Sequence, residues 1–383
     1  VLVVNQTAAM SGGEHSLLTL LAALDARDAR IAVAAPVGDL SERTAALGMR
    51  HVTIAGTEAS FRLDVSTTPR ELASLACSAF QVACAARRLR VDVVHANTAR
   101  AGLIAIAARA LGAPAPLVHV RDWTPPGRAA DVVLHVLARG AADIVANSRH
   151  VANQFVRTPR SGLRVIPNPV NLAHFDPARH QRSAARARLG IADSIPLAGV
   201  VGQLTPWKGQ DDAIRSLAVA RRSVPGAALV IAGSAKFAGA ATRFDNAAFA
   251  QTLPPLTRRF GVGDAVTMLG EVDDVPGVLA ALDVLLVPSW EEAFGRVVVE
   301  GMAMGLPVIA TASGGPPEIV DDGRTGFLLA PRDPETWGGL LADLLRDPTR
   351  RADVGRAARL AAMRFAPEAH AGAMLEAYRR VAR

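Results

Sequence analysis

Glu292 and Glu300 are carboxylates separated by seven residues, the first followed by Ala293-Phe294-Gly295 and the second lying beyond Arg296. Carboxylates accept hydrogen bonds from vicinal diols, as the acidic residue that binds a ribose in dinucleotide folds does. The spacing lets one acid reach from a loop while the other sits just over a turn into a helix opening near Arg296. The N–H groups near Phe294, Gly295 and Arg296 then form a helix N-terminus able to hold a diphosphate. Lys208 offers a compact point charge for a phosphate oxygen. It and Lys236 are the only lysines among 42 basic residues, so composition does not account for a lysine there. Ordinary solvated surface groups would read the same way from spacing alone. The pairs Asp211-Asp212, Asp273-Asp274 and Asp321-Asp322 lack His or Cys partners at ligand spacing. They read as helix caps and turns, and no metal site is expected.

Several elements must hold these groups in place. Residues 283–287, Asp-Val-Leu-Leu-Val, form an apolar run ended by Pro288-Ser289, the pattern of a buried parallel strand. Gly305-Leu306-Pro307 stops the helix that carries Glu300, residues 308–311 start the next strand, and Gly314-Gly315 follows. In an open α/β sheet ligands sit outside the carboxyl ends of the strands, which is where Glu292 and the Gly-Gly loop fall.

The same alternation runs along the whole chain. Strands at 1–5, 31–36, 52–55, 92–97, 117–122, 143–148 and 163–168 make a first half, with helices at 69–89 and 101–111. Strands at 197–201, 228–232, 265–269, 283–287, 308–311 and 327–330 make a second, and a helical stretch broken at Pro367 closes the chain. Turn residues without periodicity at 168–177 mark the linker. The expectation is an α/β chain of two Rossmann-like doubly wound domains facing a central cleft, a setting for a two-part ligand. One would span 1–172 with a returning C-terminal helix, 367–383, and the other 173–366.

In the first half, Ser11-Gly12-Gly13 joins a strand to a helix from Glu14 whose buried side carries Leu17, Leu18, Leu20, Leu21 and Leu24. A strand, Gly-rich loop and helix point N–H groups at an anion, although a tight connection looks the same. Neither the dinucleotide nor the P-loop fingerprint is complete here. His119 and Arg121 share one face of a strand that turns polar at Asp122. A satisfied core histidine and a ligand-facing role both fit.

At 383 residues the chain has room for two domains. Its net charge of +7 suits anionic partners, and an arginine-rich composition alone would also produce it. No basic block or aromatic–basic alternation is present, and there is one tyrosine, so nucleic acid is not an expected partner. No apolar run approaches a membrane span, and the first strand has no charged leader before it. With two cysteines, a cytoplasmic protein without a disulfide framework is expected. Cys77 and Cys84 sit on one helix about 10 Å apart along its axis, too far to bond each other, and read as core residues.

Several motifs together carry a resemblance. PSWEEAFGRVVVEGMAMGLPVIAT, with GGPPEIV and DGRTGFLLAP, looks like the donor site of the retaining glycosyltransferases of family four, which have the GT-B fold. SGGEHSLLTLLAAL resembles that family's first loop and helix, ADIVANS and VIPNPV its mid-chain landmarks, and VGQLTPWKG its phosphate loop. The resemblance implies that Glu292 hydrogen-bonds the transferred sugar, Glu300 the ribose hydroxyls, and the backbone from Phe294 through Gly295 and Arg296 to Val297 the phosphates. It implies that Lys208 neutralises the diphosphate, that the backbone around Gly270-Glu271-Val272 meets the base, and that Gly12 and Gly13 close on the phosphates. Two positions depart from the pattern. Gln203 stands where the family often has an arginine, and a first-domain histidine placed near the sugar falls at Arg121, with His119 one same-face step away.

The implied activity is metal-independent transfer of a hexosyl unit, with no cofactor, from a UDP- or GDP-linked donor to an acceptor hydroxyl with retention. The departing phosphate would take the acceptor proton. The acceptor would be a small molecule or a lipid-linked glycan, and the arginine surplus would allow peripheral contact with an anionic membrane face. A nucleotide-sugar epimerase or a non-catalytic nucleotide-sugar-binding protein of the same fold are the alternatives. Acceptor choice is expected in loops 56–68 and 122–128, which carry no readable code.

Overall fold

The computed structural model describes residues 1–24, 29–57, 68–158, 162–236 and 244–382. The chain forms two units: Val1–Pro169 with Phe365–Arg383, and Val170–Arg364. Unit 1 holds β1 (Leu2–Val4), β2 (Ala32–Ala35), β3 (Arg50–Thr53), β4 (Val94–Ala96), β5 (Leu117–Val120), β6 (Asp143–Ala146) and β7 (Leu163–Val165). They make one parallel sheet in the order β3-β2-β1-β4-β5-β6-β7. Unit 2 holds β8 (Leu197–Val201), β9 (Ala228–Ala232), β10 (Val266–Gly270), β11 (Val284–Val287), β12 (Val308–Thr311) and β13 (Phe327–Leu329). Their order, again parallel, is β10-β9-β8-β11-β12-β13. Both are Rossmann-like sheets whose order reverses at one point, between β1 and β4 and between β8 and β11.

The central strands β1, β2 and β11 are wholly apolar and, with β12, fully buried, as expected where helices cover both faces of a parallel sheet, whereas β3, β7 and β10 are partly exposed and carry polar residues. In unit 2, Trp337 is buried in the main core and its Nε1–H donates to the Ala330 carbonyl at 2.8 Å. In unit 1 the Pro367–Val381 helix lays Ala371, Met374, Ala377 and Tyr378 against Leu20, Leu24, Leu117, Val145 and Ile166. No helix among the described residues is long and apolar enough to cross a membrane.

The strands end earlier than their sequence pattern predicts. Asn97, Arg121, Asn147 and Asn168 lie beyond the ladders of β4, β5, β6 and β7, because their side chains bond each other and neighbouring loops. The helix Asp39–Ala46 carries no apolar stripe strong enough to announce it, and β3 lies two residues before its predicted place. The first helix starts at Gly12, ahead of Glu14, and its Leu18 is only half-buried. Cys77 is exposed, correcting its assignment to the core: the Thr68–Leu89 helix turns that face outward, while Cys84 is half-buried and both thiols are free.

At the amino end of β11, Asp283 anchors a buried ion network. Its carboxylate accepts from Arg182 at 2.8 Å, from the fully buried Arg186 at 2.9 Å and from the Leu197 N–H at 2.8 Å. Arg186 also donates to the carbonyls of Ala281, Ala192, Asp193 and Ile195, so each nitrogen of its guanidinium has a partner. Asp283→Asn keeps the shape but leaves that guanidinium without its counter-charge, and is expected to cost unit 2 about 2–3 kcal/mol. Urea denaturation of the two proteins measures this, and an unchanged midpoint would contradict it.

Candidate functional site

In unit 2 the loops after β8 and β11, the two strands flanking the reversal in strand order, meet over the sheet's carboxyl edge. Lys208 closes the 3-10 turn Pro206–Lys208 after β8, and Glu292 follows β11. They form an ion pair across 84 residues of sequence, with side chains 20% and 6% exposed. Ser289 Oγ donates to the same Glu292 oxygen at 2.7 Å, and the ammonium stands 4.3 Å from the centroid of the Trp207 ring. Backbone contact sets this pairing. The Trp290 N–H donates to the Trp207 carbonyl at 2.8 Å, and Gly209, at φ +70°, leaves no room for a Cβ, which would stand 2.1 Å from the Pro288 oxygen.

Glu292 is held from its other side by the Gly-Gly loop after β12. Gly314, at φ +89°, forms a bridge with Glu292, where a Cβ would sit 2.0 Å from the Glu292 backbone carbonyl oxygen. The Gly315 N–H donates to that same oxygen at 2.8 Å. Glu300 lies on the Arg296–Ala303 helix that opens after Gly295, and Arg296 donates to it at 2.9 and 3.2 Å. Phe294 is buried and Val297 is half-buried beside Lys208, Ser289 and Glu292. Gln203, also after β8, donates its amide to the Lys236 carbonyl at 2.8 Å, and the Lys236 ammonium pairs with Glu271 at 2.5 Å. Val272, the next residue, is half-buried. Both lysines of the chain therefore stand at the carboxyl edge of this sheet, each paired with an acid from a neighbouring loop.

Unit 1 builds a different edge. Glu14 reaches back to the start of the first helix, where its carboxylate accepts from the Ser11 N–H at 3.1 Å and from the Ser11 hydroxyl. Asn5 also donates to Glu14, at 3.1 Å, and accepts from Asn97 at 2.9 Å. Arg121 donates to Asn97 at 3.0 Å and to Asn168, and its own carbonyl accepts from Asn147 at 2.8 Å. A Cβ on Gly13 would lie 3.4 Å from Arg121 Cδ, so the first turn of the Gly12–Ala23 helix lies beside the Arg121 side chain. Arg121 is 4% exposed, held by amide oxygens of two loops.

His119 is placed elsewhere. It is fully buried between the rings of His95, 5.7 Å away, and His370, 6.0 Å away, under the C-terminal helix. Burial above all, and then the Arg121 charge, hold His95 and His119 well below the ordinary imidazole range and bring His370 down to about 3. The stack is neutral, and of the two first-half residues picked out in the sequence only Arg121 reaches the strand-edge loops.

The chain is similar to known proteins along most of its length. Residues 10–174 match the family described as Glycosyltransferase Family 4, and residues 181–361 match Glycosyl transferases group 1. A D-inositol 3-phosphate glycosyltransferase from Streptomyces avermitilis is 31% identical over 86% of this chain and 73% of its own length. One of the same name from Streptomyces scabiei is 30% identical over 81% and 72%. The chain is a family-four glycosyltransferase. Its fold is GT-B: Anabaena HepE, solved in complex with UDP-glucose, superposes with a TM-score of 0.83 at 24% identity over 99% of both chains. A sucrose-phosphate synthase from Thermosynechococcus elongatus gives 0.79 at 22% identity, over 99% of this chain and 98% of its own.

In this glycosyltransferase the loop after β5 is tied down by Gln154, which accepts from the Thr124 N–H at 2.8 Å and donates to the Asp122 carbonyl at 3.0 Å. Gln154 also lines a groove of about 420 Å³ with Asp131, Val132, His135, Val136 and Arg157. Most of the other loop expected to choose the acceptor, 58–67, lies outside the described residues. Among the described residues no group of three or more His, Cys, Asp or Glu could hold a metal ion. Sequence reading missed Ser289 and the asparagines 5, 97, 147 and 168. The available signal was positional, since Asn5, Asn97 and Asn147 each directly follow a strand run.

Proposed function

We propose that this glycosyltransferase moves a hexosyl unit from a UDP-hexose to an acceptor hydroxyl, with retention and without a metal ion. The Lys208–Glu292 pair carries the reading. A cation for the diphosphate and a carboxylate for the sugar hydroxyls are held side by side where the strand order reverses. The acceptor oxygen bonds to the anomeric carbon as the carbon–phosphate oxygen bond breaks, and the departing phosphate takes the acceptor proton. Such a reaction asks the protein for positioning and for charge on the leaving group. Glu300, released from Arg296, takes the ribose hydroxyls, and the N–H groups from Phe294 to Val297 take phosphate oxygens. Backbone around Val272 meets the base, while Gly12, Gly13 and Arg121 hold an anionic part of a substrate. His119 has no direct part.

UDP is favoured over GDP by the likeness to HepE, solved with UDP-glucose. The name of the Streptomyces relatives supports a phosphorylated polyol among the acceptors. The groove beside Gln154 is the proposed acceptor path, and the arginine surplus supports weak peripheral contact with anionic lipid.

Thermal unfolding with UDP-glucose, UDP-galactose, UDP-N-acetylglucosamine and GDP-mannose tests the donor class. A cognate donor at a hundred times its Kd is expected to stabilise the protein by about 2.7 kcal/mol. Stabilisation by GDP-mannose alone, or by none of them, would overturn the assignment.

A further inference from the structure

The C-terminal helix is the last element of unit 1 in sequence, yet its contacts lead to Arg121. On that helix His370 Nδ1–H donates to the Pro167 carbonyl at 2.8 Å. Pro167 precedes Asn168, which is 4% exposed and accepts from Arg121. Asn168 lies between two prolines, which fix φ and donate nothing, so the segment behaves as a stiff strut. Its position depends on what grips it from outside, and His370 is such a grip. On the opposite side of the guanidinium, Asn97 accepts from Arg121 Nε at 3.0 Å and is oriented by Asn5 and Glu14. Arg121 is therefore clamped between one arm from the first helix and one from the last.

The rest of the helix face keeps His370 in place. Its ring stacks on His119, His119 stacks on His95, and His95 Nδ1 is 2.9 Å from the hydroxyl of Tyr378, about two turns further along the same helix. Imidazoles in a core are expensive compared with leucines unless a polar atom is used. Here Nδ1 of His370 and Nδ1 of His95 are both used, and the first of them leads to the strut.

We propose that His370 is a positioning residue for Arg121: through Pro167 and Asn168, the C-terminal helix sets where the guanidinium stands. This rests on the reading of Arg121 as the contact for an anionic part of a substrate. A guanidinium displaced by a fraction of an ångström still carries its charge but loses the aligned geometry that turnover needs.

The test uses slow hydrolysis of UDP-glucose as its readout, so no acceptor is required. Arg121→Gln is expected to lower kcat/KM about 100-fold and His370→Ala about tenfold. The double variant should be no slower than Arg121→Gln alone, because His370 acts only through Arg121. Asparagine places its Nδ2 near the position of the histidine Nδ1, and glutamine does not. His370→Asn is therefore expected to keep turnover within about twofold of the parent, with His370→Gln matching the alanine variant even where both melt at the same temperature. Equal turnover in the Asn and Gln variants, or losses that multiply in the double variant, would overturn the proposal. Parental turnover in Arg121→Gln also overturns it, together with the role of Arg121. The donor reading is judged separately, by Lys208→Ala.

Discussion

Lys208→Ala is expected to lower the proposed hexosyl transfer from a UDP-hexose about 10³-fold, or about 4 kcal/mol of transition-state stabilisation. In the proposed reaction the ammonium meets the charge that grows on the departing diphosphate, in a partly enclosed site where one positive charge is worth more than in open water. It also holds Glu292, whose side chain is 6% exposed and shares one oxygen between Lys208 and Ser289. Removing the lysine leaves a buried carboxylate oxygen that keeps the Ser289 hydroxyl as donor but loses its counter-charge, so some loss of stability should accompany the loss of rate. Lys208→Arg separates the two effects. Arginine keeps the charge and the pairing but spreads them over a planar fork that the Trp207 and Pro288 packing does not fit. Its stability should return to near the parent while turnover stays at least tenfold down. Single-turnover rates and thermal melts of the three proteins measure this. Full turnover in the alanine variant would remove Lys208 from the chemistry.

Acid should unfold unit 1 well before ordinary carboxylate titration would. His95, His119 and His370 are neutral in the folded chain because burial and the Arg121 charge disfavour their protonation. In the unfolded chain each titrates near 6.5. Above that pH neither state carries the protons and the three contribute no pH dependence. Below it the unfolded chain binds protons that the folded chain does not, so stability falls as pH falls, by about 1.4 kcal/mol per unit for each imidazole. For His370 the fall continues until pH nears its folded value of about 3. Between pH 6.5 and 4.5 the three together cost about 8 kcal/mol, comparable with the whole stability of a domain. Chemical denaturation at several pH values reads the slope as close to three protons. His370→Asn should reduce it by about one, and a flat profile between pH 6.5 and 5 would refute the neutral stack.

The carboxyl edge of unit 2 was legible because its geometry is local in sequence. Glu292 and Glu300, the helix opening after Gly295 and the Gly314-Gly315 loop lie within one strand–loop–helix–strand unit, where spacing and breakers determine geometry. Lys208 was legible as an oddity of composition. Its bond to Glu292 was not, because that requires β8 and β11 to be neighbours, a property of strand order that apolar periodicity does not encode. The first unit's edge was harder still. Asn5, Asn97 and Asn168 look like strand-end turn residues until β1, β4 and β7 are arranged in one sheet, and only then do they become a clamp on Arg121. His119 stayed open between a core and a ligand-facing role for the same reason: the helix that covers it comes some 250 residues later in the chain, at His370.

Unit 1 is assembled from residues on both sides of unit 2 in sequence, which bears on the order of events at the ribosome. Residues 170–364 are contiguous and can complete their sheet as soon as they emerge. The first sheet emerges earlier but waits for residues 365–383 to cover its β4–β5 face and grip Pro167. The nascent chain therefore finishes its second unit before its first. The guanidinium at Arg121, made early in translation, is among the last groups to reach its final place.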